Sequence, residues 1–344
     1  MKAMVLAGGL STRLYPLTHK VPKPLVPIAG EPNSAHVLRY LRSFGIEDIA
    51  MNIHYHAQAV EAALGDGSAY GVRLKYLFEP KLLGSAGAVK QMESFFDTTF
   101  VVIGCDDLTD FDLGALLTFH RERKALATIG LVEAKDVAQY GVVILDEAGR
   151  IVEFQEKPAY GTEKSHLINT GIYVFEPEIF KYMEEGAFVD FGRDVFPALQ
   201  AQRAAFYGLH VPGAYWCDIG TPGEYRRATN AVLAGEVRLS GAAQVRGVAA
   251  DAVLGQGVLI HGDVRIGERS RIGERVRIAG PSVIGNDVII GDDAIVENSI
   301  VWEGSRIGAH ARVIGCIVGT EYDVPANSLL QDAVVADEAV AAAR

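Results

Sequence analysis

Residues 4–28 bring together the parts of an anion-binding loop: an apolar run with Val5 and Leu6, the paired Gly8 and Gly9, the hydroxyls of Ser11 and Thr12, and the cations Arg13, Lys20 and Lys23. The apolar run has the length of a buried first strand. Adjacent glycines let the backbone turn sharply and bring its amides close to an anion. Residues 1–30 contain four Lys or Arg and no Asp or Glu, inside a chain whose 43 acidic and 32 basic residues give a formal net charge of -11. The local field is therefore positive, and the chemistry open to the loop is to hold the phosphates of a nucleoside triphosphate. It is neither a Walker A loop, because no Gly-Lys-Ser/Thr follows at the required spacing, nor a Gly-x-Gly-x-x-Gly turn.

Two further apolar segments end in carboxylates. One is 101–110, with Asp106, Asp107 and Asp110 after Cys105; the other is 216–222, with Asp218 alone. A carboxylate at a strand end suits Mg²⁺, which takes one or two such ligands and completes its shell with phosphate oxygens and water. Neighbours on a strand face opposite ways, so Asp106 and Asp107 remain alternatives for the first ligand. Asp110 reads as a loop residue.

The order Gly-Gly-x-Ser-Thr-Arg-Leu-x-Pro-Leu-Thr, a short spacer and Pro-Lys-Pro-Leu-Val-Pro-Ile resembles the signature of the sugar-1-phosphate nucleotidyltransferases, or NDP-sugar pyrophosphorylases. The resemblance implies attack by a sugar-1-phosphate oxygen on the α-phosphorus of an NTP, with pyrophosphate leaving and Mg²⁺ as the cofactor. It assigns nucleotide contacts to Leu6, Ala7, Gly8, Gly9, Ser11, Thr12, Arg13 and Lys23, to Gly84, Ser85 and Gly87 in the Leu-Gly-Ser-Ala-Gly-Ala loop, and to Asp106. It makes Asp106 and Asp218 the metal ligands, although this chain has Cys105 where a glycine is usual and Asp107 where a small apolar residue is usual. It places Lys157 on the sugar phosphate, Glu156 on sugar hydroxyls, and Gly141, Asn169 and Gly171 along the sugar. Arg13, Lys23, Asp106, Lys157 and Asp218 form the catalytic set.

The elements that must position these residues fall into two halves. From residue 1 to about 235, strands (48–53, 100–103, 127–132) alternate with helices (58–64, 113–124), as in an α/β sheet wrapped by helices with ligands beyond the strand carboxyl ends. Beyond 245 the period changes to six: Val248, Leu254, Ile260, Ile266, Ile272, Ile278, Ile284, Ile290 and Val296 recur without a break, most followed by Gly or Ala. That is the hexapeptide repeat of a parallel β-helix of about four coils, left-handed in this family. Near Trp302 the register slips by one to Val301, Ile307 and Val313, which reads as a loop or a closing coil. The expected organisation is therefore a Rossmann-like nucleotidyltransferase domain with a mixed sheet over 1–235, a linker at 236–245, a β-helix over 246–325 and a tail over 326–344. The tail is either a small capping helix or frayed.

An acidic chain with pI ≈ 5.3 argues against nucleic acid and anionic membranes as partners. No apolar run reaches transmembrane length, and the N-terminus lacks the pattern of a signal peptide. Cys105, Cys217 and Cys316 are scattered, which suits core thiols in a reducing cytoplasm. His36, His54 and His56 read as packing or surface residues. The β-helix, with His261 and His310 on it, is expected to organise a homo-oligomer rather than perform chemistry, so a chain ending near Gly235 is expected to keep turnover. Among relatives the chain looks most like the mannose-1-phosphate guanylyltransferases and their glucose-1-phosphate look-alikes. GTP with mannose-1-phosphate is the leading substrate pair, with UTP or dTTP and glucose-1-phosphate as the alternative. A silent NDP-sugar-binding subunit and a bifunctional acyltransferase are the remaining rivals.

Overall fold

The computed structural model describes residues 1–241 and 245–337. Residues 242–244 of the expected linker and 338–344 of the expected tail lie outside the described residues. The chain divides into two compact units that do not follow chain order: Met1–Leu10 joins Val37–Trp216, and Ser11–His36 joins Cys217 onward.

The first unit is built on a nine-stranded mixed sheet. Arg73–Phe78, Asp48–Ile53, Lys2–Leu6 and Phe100–Gly104 lie side by side and parallel. Leu167–Phe175 runs antiparallel to Phe100–Gly104 and continues the sheet to Gly141–Leu145 and Ile151–Glu156. Ala127–Glu133 and Phe206–His210 extend it on another branch. Lys2–Leu6 is paired on both sides, so Ala3, Met4 and Val5 are fully buried, which is why this strand reads as an unbroken apolar run. The stretch 83–88, expected as a loop, opens the helix Gly84–Gln91, whereas the helices Ala57–Leu64 and Leu113–Glu122 fall close to the sequence expectation. The last is capped by Asp112, whose carboxylate accepts the Ala115 amide at 3.0 Å. Register aligns Leu6 with Asn52 and with Gly104, and Asn52 with Leu77. The loops that begin at Ala7, Glu79 and Cys105 therefore leave one edge of the sheet together.

The second unit contains a parallel β-helix of three sheets, with six, five and five strands, one more coil than the repeat count suggested. Ile266, Ile272, Ile278, Ile284 and Ile290 are each at most 3% exposed, and each pairs with its equivalent one coil away. The glycine that follows four of these five has a steric cause. A Cβ on Gly285 would lie 2.7 Å from the Glu303 amide nitrogen, and one on Gly291 would lie 2.6 Å from that of Ala309. Coils stack too closely there for any side chain. Several corner residues, among them Arg269, Arg275, Asp287 and Asp293, adopt left-handed φ near 55°. Arg269 to Asp287 and Arg275 to Asp293 then form bidentate ion pairs from one coil to the next.

The register slip is neither a loop nor a closing coil. Ile266 pairs with Ile284 eighteen residues on, whereas Ile284 pairs with Val301 seventeen residues on. The side from Val296 to Val301 is one residue shorter than that from Ile278 to Ile284, and the shorter side recurs as Val301 pairs with Val318. The ladder also continues through Leu329–Gln331 and Val334–Val335, inside the stretch expected as tail.

The ladder predicts a graded response to truncation. Ile278→Ala, at 1% exposure, should cost about 2–5 kcal/mol. Leu254→Ala, on the first coil at 41% exposure, should cost less than about 1 kcal/mol. Denaturant titration of the β-helix transition checks both values.

Candidate functional site

The glycine loop is seated by a buried polar network. The Ala7 amide donates to Asn52 Oδ1 at 2.9 Å, and Asn52 Nδ2 donates to Glu79 Oε2 at 2.6 Å. Glu79 Oε1 accepts the Leu83 amide at 3.3 Å, and both side chains are at least 96% buried. A Cβ on Gly8 would lie 2.7 Å from Asn52 Nδ2 and 2.9 Å from Glu79 Oε2, whereas one on Gly9 would meet nothing within 4 Å. Gly8 is therefore needed for packing and Gly9 is open. Sequence reading missed Asn52 and Glu79. Glu79 follows the Arg73–Phe78 strand as Asp106 follows Phe100–Gly104, so the same strand-end rule could have found it.

The two aspartates after Phe100–Gly104 have different surroundings. Asp107 is 6% exposed; one carboxylate oxygen accepts the Gly104 amide at 2.9 Å and the other accepts the Trp216 indole at 3.2 Å. Asp106 is half-buried. Asp110 accepts the Tyr215 amide at 2.8 Å, a loop role.

The Gly84–Gln91 helix is bound to residues 187–191. The amides of Ala86 and Gly87 both donate to the Val189 carbonyl at 3.0 Å, and a Cβ on Gly84, whose φ is 78°, would lie 2.5 Å from the same oxygen. Ser85 donates to Asp190 at 2.9 Å and accepts the Phe191 amide at 3.0 Å. Asp190 also accepts the amides of Gly192 and Arg193, so it holds both segments. It is a third residue that the sequence did not single out.

Glu156 and Lys157 end the Ile151–Glu156 strand. The Lys157 backbone takes the left-handed region, with φ at 45°, and its amide donates to the Tyr140 carbonyl at 3.2 Å. Although Glu156 as a residue is exposed, its carboxyl group lies against two glycines. A Cβ on Gly192 would lie 2.6 Å from Oε2 and one on Gly141 would lie 3.3 Å from it. Desolvation raises the Glu156 pKa and the Asp190 charge adds to the rise, against Lys157 and Arg193. Asn169 closes a bulge in Leu167–Phe175: its amide donates to the Tyr173 hydroxyl and its oxygen accepts the Gly171 amide, both at 2.9 Å. Gly171 has φ at 80°, a conformation that favours glycine.

Ser11, Thr12, Arg13, Lys20, Lys23 and Asp218 belong to the second unit. Ser11 turns the chain with φ at 55°, and its carbonyl accepts the Thr18 hydroxyl at 2.8 Å. Arg13 lies 3.5 Å from Asp218, the guanidinium side 54% and the carboxylate side 18% exposed. Gly220 makes room for this pair: a Cβ there would lie 2.5 Å from Asp218 Oδ1 and 2.6 Å from Arg13 Nη2. Asp218 leads into the helix Pro222–Ala234, whose start is set by Thr221 accepting the Glu224 amide, Pro222 in the first turn and Gly235 at the far end with φ at 77°. Lys20 pairs with Asp337 at 3.2 Å. His36 hydrogen-bonds the Ile28 carbonyl and His54 that of Glu79, in keeping with packing roles. None of the three cysteines is in a disulfide, and all three are buried.

The nucleotidyl transferase family model matches residues 2–235, and the model of the GMPPB C-terminal domain matches 256–344. The chain is 41% identical over 252 residues to a UTP–glucose-1-phosphate uridylyltransferase of Synechocystis, covering 69% of this chain and 65% of that one. It is 38% identical over 235 residues to a mannose-1-phosphate guanylyltransferase of Mycobacterium tuberculosis, covering 68% and 65%. The match thus spans slightly less than two thirds of the length of these relatives. Among solved structures it is similar to a Bacillus anthracis protein assigned as a glucose-1-phosphate thymidylyltransferase in complex with sucrose, with a TM-score of 0.62, 27% identity, and coverage of 70% of this chain and 97% of that one.

The Glu156 environment sets a pH dependence. A raised carboxyl pKa means the folded chain binds more protons than the unfolded one, so stability falls as pH rises from the ordinary glutamate value of about 4.3 through the raised one. Glu156→Gln mimics the protonated form. Its Tm relative to wild type should be near zero at about pH 4 and positive at about pH 7, as calorimetry at both pH values would read.

Proposed function

Because the chain belongs to the nucleotidyl transferase family, we propose that it transfers a nucleotidyl group from an NTP to a sugar-1-phosphate with release of pyrophosphate, and that GTP and mannose-1-phosphate are its substrates. The observation that carries this reading is the family match over 2–235. Within that span lie the Gly8–Gly9 loop, Arg13, Lys23, Asp106, Lys157 and Asp218. The match of 256–344 to the GMPPB C-terminal domain favours guanine and mannose. UTP with glucose-1-phosphate is the second reading, favoured by the 41% identity to the Synechocystis uridylyltransferase.

In such a transfer the protein does little covalent work; it aligns two anions and offsets their charge. The amides near Gly8 and Gly9, with Arg13 and Lys23, hold the triphosphate. Lys157 holds the sugar phosphate, and Glu156, Asn169, Gly141 and Gly171 line the sugar. Asp106 and Asp218 are the carboxylates for Mg²⁺. Asp107 accepts the Gly104 amide and the Trp216 indole, both from its own unit. Among the described residues no group of three or more His, Cys, Asp or Glu side chains comes together as a metal cage, and a two-carboxylate set fits a cation that takes phosphate and water as its other ligands. When bound, Mg²⁺ offsets charge on the phosphates. Among the described residues no helix is long and apolar enough to cross a membrane. A cytoplasmic homo-oligomer is the accompanying proposal, supported by the buried cysteines outside any disulfide and by exposed Val253, Leu254, Leu259 and Ile260 on the first coil.

Pyrophosphate release measured with GTP, UTP, dTTP and ATP against mannose- and glucose-1-phosphate tests the reading. GTP with mannose-1-phosphate should give the highest kcat/KM, and a tenfold advantage for UTP with glucose-1-phosphate would establish the second reading instead. Asp106→Asn and Asp218→Asn should each lower kcat by on the order of 100-fold or more, while Asp107→Asn should be milder in turnover and lower in Tm. Lys23→Ala should chiefly raise the KM for the NTP and Lys157→Ala that for the sugar phosphate.

A further inference from the structure

Within the second unit a buried polar contact ties Ser11–His36 to the β-helix. Tyr225, on the helix Pro222–Ala234, is fully buried and Trp302, on the coils, is 3% exposed. The Trp302 indole donates to the Tyr225 hydroxyl at 2.9 Å, and that hydroxyl donates to the Pro27 carbonyl at 2.7 Å. The two rings meet edge to face, with centroids 5.9 Å apart. We propose that Trp302 and Tyr225 are positioning residues that set the Lys23 loop for the nucleoside triphosphate, so that the β-helix takes part in nucleotide affinity. The inference deepens the proposed function and rests on it.

The loop is built to transmit such a constraint. Pro27 lies four residues beyond Lys23, and the stretch between them is closed by the Val26 amide on the Lys23 carbonyl, the Asn33 amide on the Val26 carbonyl and the Ser34 hydroxyl on the Pro24 carbonyl. Pro22, Pro24 and Pro27 stiffen it further. A displacement at the Pro27 carbonyl therefore reaches Lys23 rather than being absorbed. The helix that carries Tyr225 is itself fastened to the coils, since Arg226 donates to the carbonyls of Asn298 and Gly315 at 2.8 and 2.7 Å. A third contact lies at Gly30, where a Cβ would overlap the guanidinium of Arg265, a coil residue 8% exposed. Plain packing would need none of this polarity, because a phenylalanine at 225 would fill nearly the same volume.

Trp302→Phe removes the indole donor and keeps an aromatic ring; Arg226→Gln loosens the same helix from a more exposed side. In the full-length chain each should raise the KM for GTP about threefold to tenfold, the factor carried by one neutral hydrogen bond. The KM for mannose-1-phosphate and kcat should stay within about twofold. Unchanged GTP KM in both variants overturns the inference, as does an equal rise in both KM values accompanied by a lowered Tm, which would mark a merely structural role. If wild type releases no pyrophosphate from any substrate pair, the activity reading fails instead. Calorimetric titration of wild type and both variants with GTP and with UTP then decides the positioning role, which weaker binding by the variants supports and equal or absent binding overturns.

Discussion

A phenol hydroxyl taken wholly out of water has to find partners inside the protein, because an unmet buried hydroxyl costs about 1–3 kcal/mol. Tyr225 meets this constraint by receiving the Trp302 indole proton and giving its own to Pro27. Those two bonds join segments separated by 77 and 198 residues of sequence. Burial also drives the Tyr225 pKa strongly upward, so the hydroxyl keeps its proton and the bond to Pro27 is maintained across ordinary pH. The cationic loop, the helix behind Asp218 and the hexapeptide coils consequently belong to one compact unit.

Glycine does a related job wherever backbone must approach a polar side chain. Gly8 admits Asn52 and Glu79, Gly220 admits Asp218 and Arg13, and Gly141 and Gly192 admit Glu156. In each case the missing Cβ is the space in which a charged or amide group is held. On the coils the same absence lets one turn stack on the next. Alanine would intrude at these positions even where the backbone conformation could accept it.

Electrostatics follow from that placement. In the proposed function a chain of net charge -11 would still attract phosphates, because screening limits the reach of distant carboxylates to roughly 10 Å while the loop cations would act at contact. Surface ion pairs such as those between Arg269 and Asp287 are exposed and contribute little each. Their regular rise along the coils serves registry more than stability.

What the sequence determined by itself was whatever depends on local spacing. The period of six was enough to name the β-helix, because each ladder residue stacks on its own equivalent. The run at Val5 and Leu6 was enough for the buried strand. Tertiary structure alone showed what holds Asp107, since its donors come from Gly104 and Trp216, one nearby and the other 109 residues away. It alone showed the register slip to be a shorter coil side, which required the pairing of Ile284 with Val301. It also assigned Ser11–His36 to the β-helix unit. The physical reason is that a hydrogen bond such as Tyr225 to Pro27 leaves no periodic trace in either segment, so only the folded chain brings its two ends onto the page.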